Sequence, residues 1–246
     1  MTLLEPEFFD LPTPTGPMRV HQFIPSEGSH PSVILYSEIY QMTGPIQRLA
    51  ARLAGEGFEV LVPEVYHEYE IPGTVLAYDK TGTDRGNELK FEKPIEAFDS
   101  DSTVLIDWIA ARPKYCSGSV GTLGFCLGGH LAFRAALDLR VAATACWYPT
   151  DIHSATLGKG KCDDTLARSG EIEAELLLIW GRQDPHVPVE GRRLIYDSLT
   201  ESGRNFQWHE FNAAHAFARD EGIRYDSTAT RMGWEMTLEL FKRQLR

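Results

Sequence analysis

Four cysteines in 246 residues are too few for a disulfide scaffold, and Cys116, Cys126, Cys146 and Cys162 contain no CxxC pair, so they read as reduced thiols. Basic residues are also scarce. With 24 Lys and Arg against 35 Asp and Glu, the formal charge is −11, which argues against a protein that neutralises a phosphate backbone. An anionic small molecule could bind only where arginines are gathered locally. No apolar run approaches the roughly 20 residues of a membrane span. The first residues, MTLLEPEFFDLPTPTGP, carry acids and prolines where a secretory signal has a basic start and an apolar segment, so a cytoplasmic protein is expected. There is no internal repeat, no low-complexity tract and no linker, and residues 1–246 are expected to form a single domain.

What is present is an alternation of short β-branched runs with longer stretches of helical period. That is the pattern of a mostly parallel sheet with helices on both faces, an α/β fold. Strands are expected at Val20–Ile24, Ser32–Tyr36, Phe58–Val62, Ser119–Gly124, Ala142–Trp147, Leu176–Trp180 and Gln207–Phe211. Helices are expected at Pro45–Gly55, Ala97–Arg112, Leu127–Leu139, Glu190–Glu201 and Arg231–Gln244. Residues 64–96 and 148–170 are polar and without clear periodicity, and read as loops lining a site. In such folds ligands gather outside the carboxyl ends of the strands, so functional residues should lie just after them.

The most informative stretch is GTLGFCLGGHLAF, residues 121–133. Gly124-Phe125-Cys126-Leu127-Gly128 joins an expected strand to an expected helix and has the G-x-nucleophile-x-G form, with cysteine in the nucleophile's place. The flanking glycines let strand and helix approach closely around a strained central residue. The turn would expose the sulfur at a helix N-terminus, where the dipole and free N–H groups favour a thiolate and can hold an oxyanion. A buried structural thiol is the plain alternative. It is countered by two later residues: Asp184 follows one expected strand within GRQDPHVP, and His215 follows the last one within NAAHAF. Nucleophile, acid and histidine thus occur in the chain order of the α/β-hydrolase triad, in which the histidine moves protons and the acid holds its tautomer. His186 and His130 are weaker candidates for the base. Cys162-Asp163-Asp164 has no accompanying histidine pair and reads as solvated loop rather than a metal site.

With these residues in hand, the sequence resembles the dienelactone hydrolases, or carboxymethylenebutenolidases, cysteine members of the α/β-hydrolase fold. The resemblance spans nearly the whole chain and rests on SVILYSEIYQMTGPIQRLAARLAGEGFEVLVPEVY (32–66), GFCLGGH (124–130), GRQDPHVP (181–188) and HAFAR (215–219). It implies that Glu38 contacts the resting thiol and takes its proton once substrate is bound. It also implies an oxyanion hole made by the N–H groups of Ile39 and Leu127, and a carboxylate clamp at Arg219, with Arg85 in GTDRGNEL as a second clamp.

The expected function is a thiol hydrolase of a small, anionic lactone or ester, working through a Cys-His-Asp triad and a thioester, without cofactor or metal and as a monomer. A general carboxylesterase or thioesterase on the same scaffold, or a non-catalytic redox-responsive thiol protein, are the alternatives.

Overall fold

The computed structural model of the chain describes residues 2–112 and 119–245. Eight strands form one sheet: β1 (Glu7–Thr13), β2 (Gly16–Phe23), β3 (Ser32–Tyr36), β4 (Glu59–Pro63), β5 (Val120–Phe125), β6 (Val141–Trp147), β7 (Glu175–Gly181) and β8 (Phe206–Phe211). Their order is β1-β2-β4-β3-β5-β6-β7-β8. β1 and β2 pair antiparallel, as do β2 and β4, and every pairing from β4 to β8 is parallel. Among the described residues there are six α-helices, α1 (Gly44–Gly55), α2 (Lys80–Glu92), α3 (Ile95–Ala110), α4 (Leu127–Ala135), α5 (Val189–Glu201) and α6 (Ser227–Gln244). This is the α/β-hydrolase fold, as expected.

The central strands are buried from end to end, which is what continuous runs such as SVILY and ELLLIWG require of a sheet covered on both faces. Side chains alternate between two cores with the period of two that a strand imposes. From β7, Leu176, Leu178 and Trp180 enter one core, together with Leu105 and Ile106 of α3 and Leu131 of α4. Leu177 and Ile179 enter the other, against Ile46 and Leu53 of α1 and Trp234 and Phe241 of α6. Each such side chain contributes roughly 1.5–3 kcal/mol relative to exposure. Trp147 Nε1 donates to Thr237 Oγ1 at 3.2 Å, so the largest ring at the end of β6 is buried with its polar atom satisfied.

Two elements differ from expectation. β1 lies in a segment broken by Pro6, Pro12, Pro14 and Pro17, yet forms an edge hairpin in which Phe9 stacks on Trp108 of α3 at 4.3 Å. α2 falls inside residues 64–96, in a sequence (KTGTDRGNELKFE) whose single strongly apolar buried side chain is Leu89. Its formation is tertiary as well as local: Asp79 caps it through Gly82 N at 2.8 Å, and Gly86 lets it lie directly on Ile39. The helix expected to run to Leu139 ends at Ala135 and continues in turns. Cys116 lies outside the described residues; Cys126, Cys146 and Cys162 are free. Among the described residues, no helix is long and apolar enough to cross a membrane.

Because β3 sits between β4 and β5, the chain reverses direction across the sheet at β3, and a crevice opens outside the carboxyl ends of these neighbours. Residues 37–39, Cys126, Asp184 and His215 all follow directly or closely on the carboxyl ends of β3, β5, β7 and β8.

Candidate active site

The elbow between β5 and α4 is built by steric exclusion. A Cβ on Gly124 would overlap the carbonyl of Gly128, and one on Gly128 would overlap the carbonyl of Tyr36. Between them Cys126 is held at φ 57°, ψ −119°, a left-handed conformation that costs a non-glycine residue about 1–3 kcal/mol. The strain is held in place by the backbone: Cys126 N donates to Trp147 O at 3.0 Å, and Cys126 O accepts from Gly129 N at 3.0 Å and Thr150 N at 3.3 Å. The side chain forms no helix cap and is partly exposed.

The imidazole of His215 lies beside the Cys126 sulfur. Its Nδ1 lies 2.6 Å from Asp184 Oδ2, and Asp184 Oδ1 accepts from the backbone N–H of His186 at 2.8 Å. A carboxylate on Nδ1 fixes the proton there and leaves Nε2 for the sulfur. Burial alone would lower the basicity of His215, but the neighbouring Cys126 sulfur and the hydrogen-bonded Asp184 carboxylate outweigh it and hold its pKa up at about 10. The rings of Tyr148 and His186 pack edge-on against the imidazole, at 5.2 and 4.6 Å between centroids.

Glu38 is 3% exposed, and burial raises its pKa against the opposing pull of Arg219 and His215. Its carboxylate accepts from Tyr78 Oη at 3.2 Å and lies 3.7 Å from a guanidinium nitrogen of Arg219. Arg219 itself rests over the Tyr78 ring at 4.2 Å, and its Nε is buried without a partner. Leu127 opens α4 immediately after the sulfur, and Ile39 follows Glu38 directly. Among the described residues no acceptor pairs with the Ile39 N–H.

These groups border a cavity of about 260 Å³, on the small side of ordinary ligand pockets of about 300–1,000 Å³. Cys126, His215, Glu38, Ile39 and Arg219 line it, and Asp184 stands behind His215. Arg85 does not reach it. On α2 the residues that face the cavity are Thr83, Asn87 and Lys90, spaced i, i+4, i+7; Arg85, two residues from Thr83 and from Asn87, points to the opposite side. There it pairs with Glu70 at 2.7 Å and Glu88 at 2.8 Å. The expected second clamp is thus corrected: the further cations at the cavity are Lys90 and Arg224. Neither these two nor Tyr78 and Asp151 stood out in the sequence, since each reaches the site through tertiary docking of a segment with no motif of its own.

Of the weaker candidates, His186 lines the cavity beside His215, and the others fall elsewhere. His130 is fully buried, with Nε2 2.8 Å from Thr165 Oγ1, and Asp163 accepts from the backbone N–H groups of Leu157 and Thr165. Asp164 pairs with Arg134 at 2.6 Å. One group of metal-type ligands occurs among the described residues, His67, Glu68 and Asp101, and the buried ammonium of Lys93 pairs with both of its carboxylates, at 2.7 and 2.5 Å. A cation is therefore already built into that cluster.

The family model of the dienelactone hydrolase family matches residues 18–245. A Saccharomyces cerevisiae protein named "Putative carboxymethylenebutenolidase" is 43% identical, over 99% of this chain and 93% of its own. The carboxymethylenebutenolidase of Pseudomonas sp. (strain P51) is 26% identical, over 93% and 91%. The crystal structure of "Putative Dienelactone Hydrolase" from Klebsiella pneumoniae subsp. pneumoniae MGH 78578 superposes with a TM-score of 0.83 at 20% identity, over 99% of this chain and all of the other, a likeness of fold. Matched by the family model along most of its length, and by a relative well above 30% identity across nearly all of both sequences, the chain belongs to the dienelactone hydrolase family.

Proposed function

We propose that the protein hydrolyses a small, anionic lactone or ester through a thioester formed on Cys126. The observation that carries this reading is the convergence on one cavity of a strained, accessible thiol, an imidazole bonded to a buried carboxylate, a second buried carboxylate and a partly unpaired guanidinium. The names of the relatives point to the same chemistry.

In this mechanism the substrate's carboxylate pairs with Arg219. Arg219 now lowers the basicity of Glu38, so its engagement by substrate releases Glu38 to take the thiol proton. The sulfur attacks the carbonyl carbon, and the oxyanion is held by the N–H groups of Ile39 and Leu127. Collapse breaks the carbon–oxygen bond, and the leaving oxygen takes a proton from the cationic His215, steadied by Asp184. The neutral imidazole then takes a proton from water as the resulting hydroxide attacks the thioester. The thiolate leaves and recovers its proton from Glu38, and the acid is released. The enzyme acts in the cytoplasm as a monomer.

The clamp is tested with Arg219→Ala, assayed on a carboxylated enol-lactone and on neutral p-nitrophenyl acetate. Loss of a charge-assisted hydrogen bond should raise KM for the anion by about tenfold or more, and change the neutral ester far less. Equal losses on both substrates would reject the clamp. Turnover of neither substrate by the wild type, with Cys126 oxidising readily, would replace the hydrolase reading by a redox thiol.

A second expectation concerns Gly86. A Cβ there would come within 2.6 Å of Ile39 O and 2.9 Å of Ile39 Cβ. Gly86→Ala should push the Ile39 peptide out of line with the oxyanion and lower kcat for p-nitrophenyl acetate by about tenfold or more, a part of what deleting a donor costs. An unchanged kcat would remove the Ile39 amide from the mechanism.

A further inference from the structure

The cavity wall on the α2 side carries charge of a different kind from the arginine side. Lys90, whose side chain is 10% exposed, lies with Nζ 2.8 Å from Asp151 Oδ2, and both residues line the cavity with Asn87 and Thr150. Asp151 is committed to three donors: Oδ2 also accepts from Thr150 Oγ1 at 2.6 Å, and Oδ1 from Thr156 Oγ1 at 3.2 Å. The loop holding it is tied to the nucleophile, because Thr150 N donates to Cys126 O at 3.3 Å. Asp151 adopts φ 66°, a left-handed conformation that this network maintains. An ammonium carries three donors, and the Lys90–Asp151 bond uses one of them. The pair is therefore neutral as a whole, and Lys90, which lines the cavity with Asn87 and lies with Nζ 4.5 Å from the Phe91 ring centroid, keeps two N–H groups that the bond to Asp151 does not use.

On the reading of this cavity as the site of an anionic ester or lactone, we infer that Lys90 and Asp151 form a second specificity pole that accepts a neutral oxygen, a hydroxyl or ketone, and rejects a second carboxylate. The substrate class is then a monoanion with its carboxylate at Arg219 and an uncharged oxygen function at the far end. A second anion placed at this pole would gain Lys90 but meet the charge of Asp151, already committed to three donors. A methyl group there would leave the Lys90 N–H groups desolvated without an acceptor.

The test is equilibrium binding of three unreactive acids of similar length, 5-hydroxypentanoate, hexanoate and glutarate, by calorimetric titration. 5-Hydroxypentanoate should bind about tenfold tighter than either of the others, the discrimination of one hydrogen bond to a charged donor. Asp151→Asn, which keeps the shape and frees the charge of Lys90, should shift the preference toward glutarate by about tenfold. Lys90→Met should erase the difference between 5-hydroxypentanoate and hexanoate. Equal binding of the three acids by the wild type, or tighter binding of glutarate, overturns the inference, as does an Asp151→Asn variant with the wild-type order. p-Nitrophenyl acetate hydrolysis, measured on the same wild-type sample, reads the proposed activity separately. Absent turnover with the binding order intact defeats the hydrolase reading and leaves this pole standing; turnover without the order does the reverse.

Discussion

Cys126→Ala is expected to lower hydrolysis of both anionic lactones and activated esters by about four orders of magnitude or more, the scale of losing a nucleophile from a triad that acts as a unit. The expectation follows from the division of labour in the cavity. Once the sulfur is gone, the cation at His215 and the donors at Ile39 and Leu127 have no covalent intermediate to stabilise. Cys126→Ser should come close to the same loss although it retains a nucleophilic atom. A carboxylate whose basicity is raised by burial can draw a proton from a thiol but not from an alcohol, and Glu38 is the group assigned that task. Neither change should disturb folding, because the Cys126 side chain caps nothing and the bonds that hold its backbone belong to its N–H and C=O. Steady-state rates, with a thermal midpoint measured on each variant, check both parts. A serine variant working at the wild-type rate would mean that the thiol's acidity is irrelevant, and the roles of Glu38 and Cys126 would both fall.

Gly124→Ala is expected to prevent stable folding, with a loss of about 4 kcal/mol or more. The added methyl group would overlap the carbonyl of Gly128. That carbonyl cannot retreat, since Gly128 is itself wedged against the carbonyls of Tyr36 and Ser37 at the end of β3. The clash is backbone against backbone at the centre of the sheet, so no side chain can rotate away to relieve it. Gly55→Ala is the matched control: at the end of α1 nothing lies within 4 Å of the new Cβ, and the change should be neutral or slightly stabilising. Urea denaturation of the two variants measures the difference. A Gly124→Ala protein as stable as its control would contradict the packing described for the elbow.

The same elbow explains how far the sequence could be read. Gly124 and Gly128 sit two positions either side of Cys126 because the steric demand is local, so the turn is visible in five letters. The strand-end positions of Asp184 and His215 are visible because fully buried strands such as LLLIW announce where they stop. Glu38 and Arg219 are different: nothing in their immediate neighbours marks them, and resemblance to a family pointed to them. Lys90 and Arg224 had no such pointer. Lys90 sits on a helix with two glycines and little apolar surface, whose existence depends on docking against Ile39, and Arg224 lies in an exposed turn that reaches the cavity only in the folded chain. Arg85 shows the converse error: a guanidinium of the expected type in the expected segment is turned away by the phase of a helix that the sequence pattern did not reveal.

The two segments that wall the cavity are also stitched to one another. Gly158 N donates to Lys90 O at 3.1 Å and Lys159 N to Lys93 O at 2.9 Å, beside the ion pair between Lys90 and Asp151. They lie more than fifty residues apart in the chain, yet an exchange of one alone would leave carbonyls and an ammonium of the other without their counterparts. Inheritance or engineering of a new preference in this scaffold must therefore move both segments together, as one cassette, while the nucleophile's turn and the sheet beneath it stay as they are.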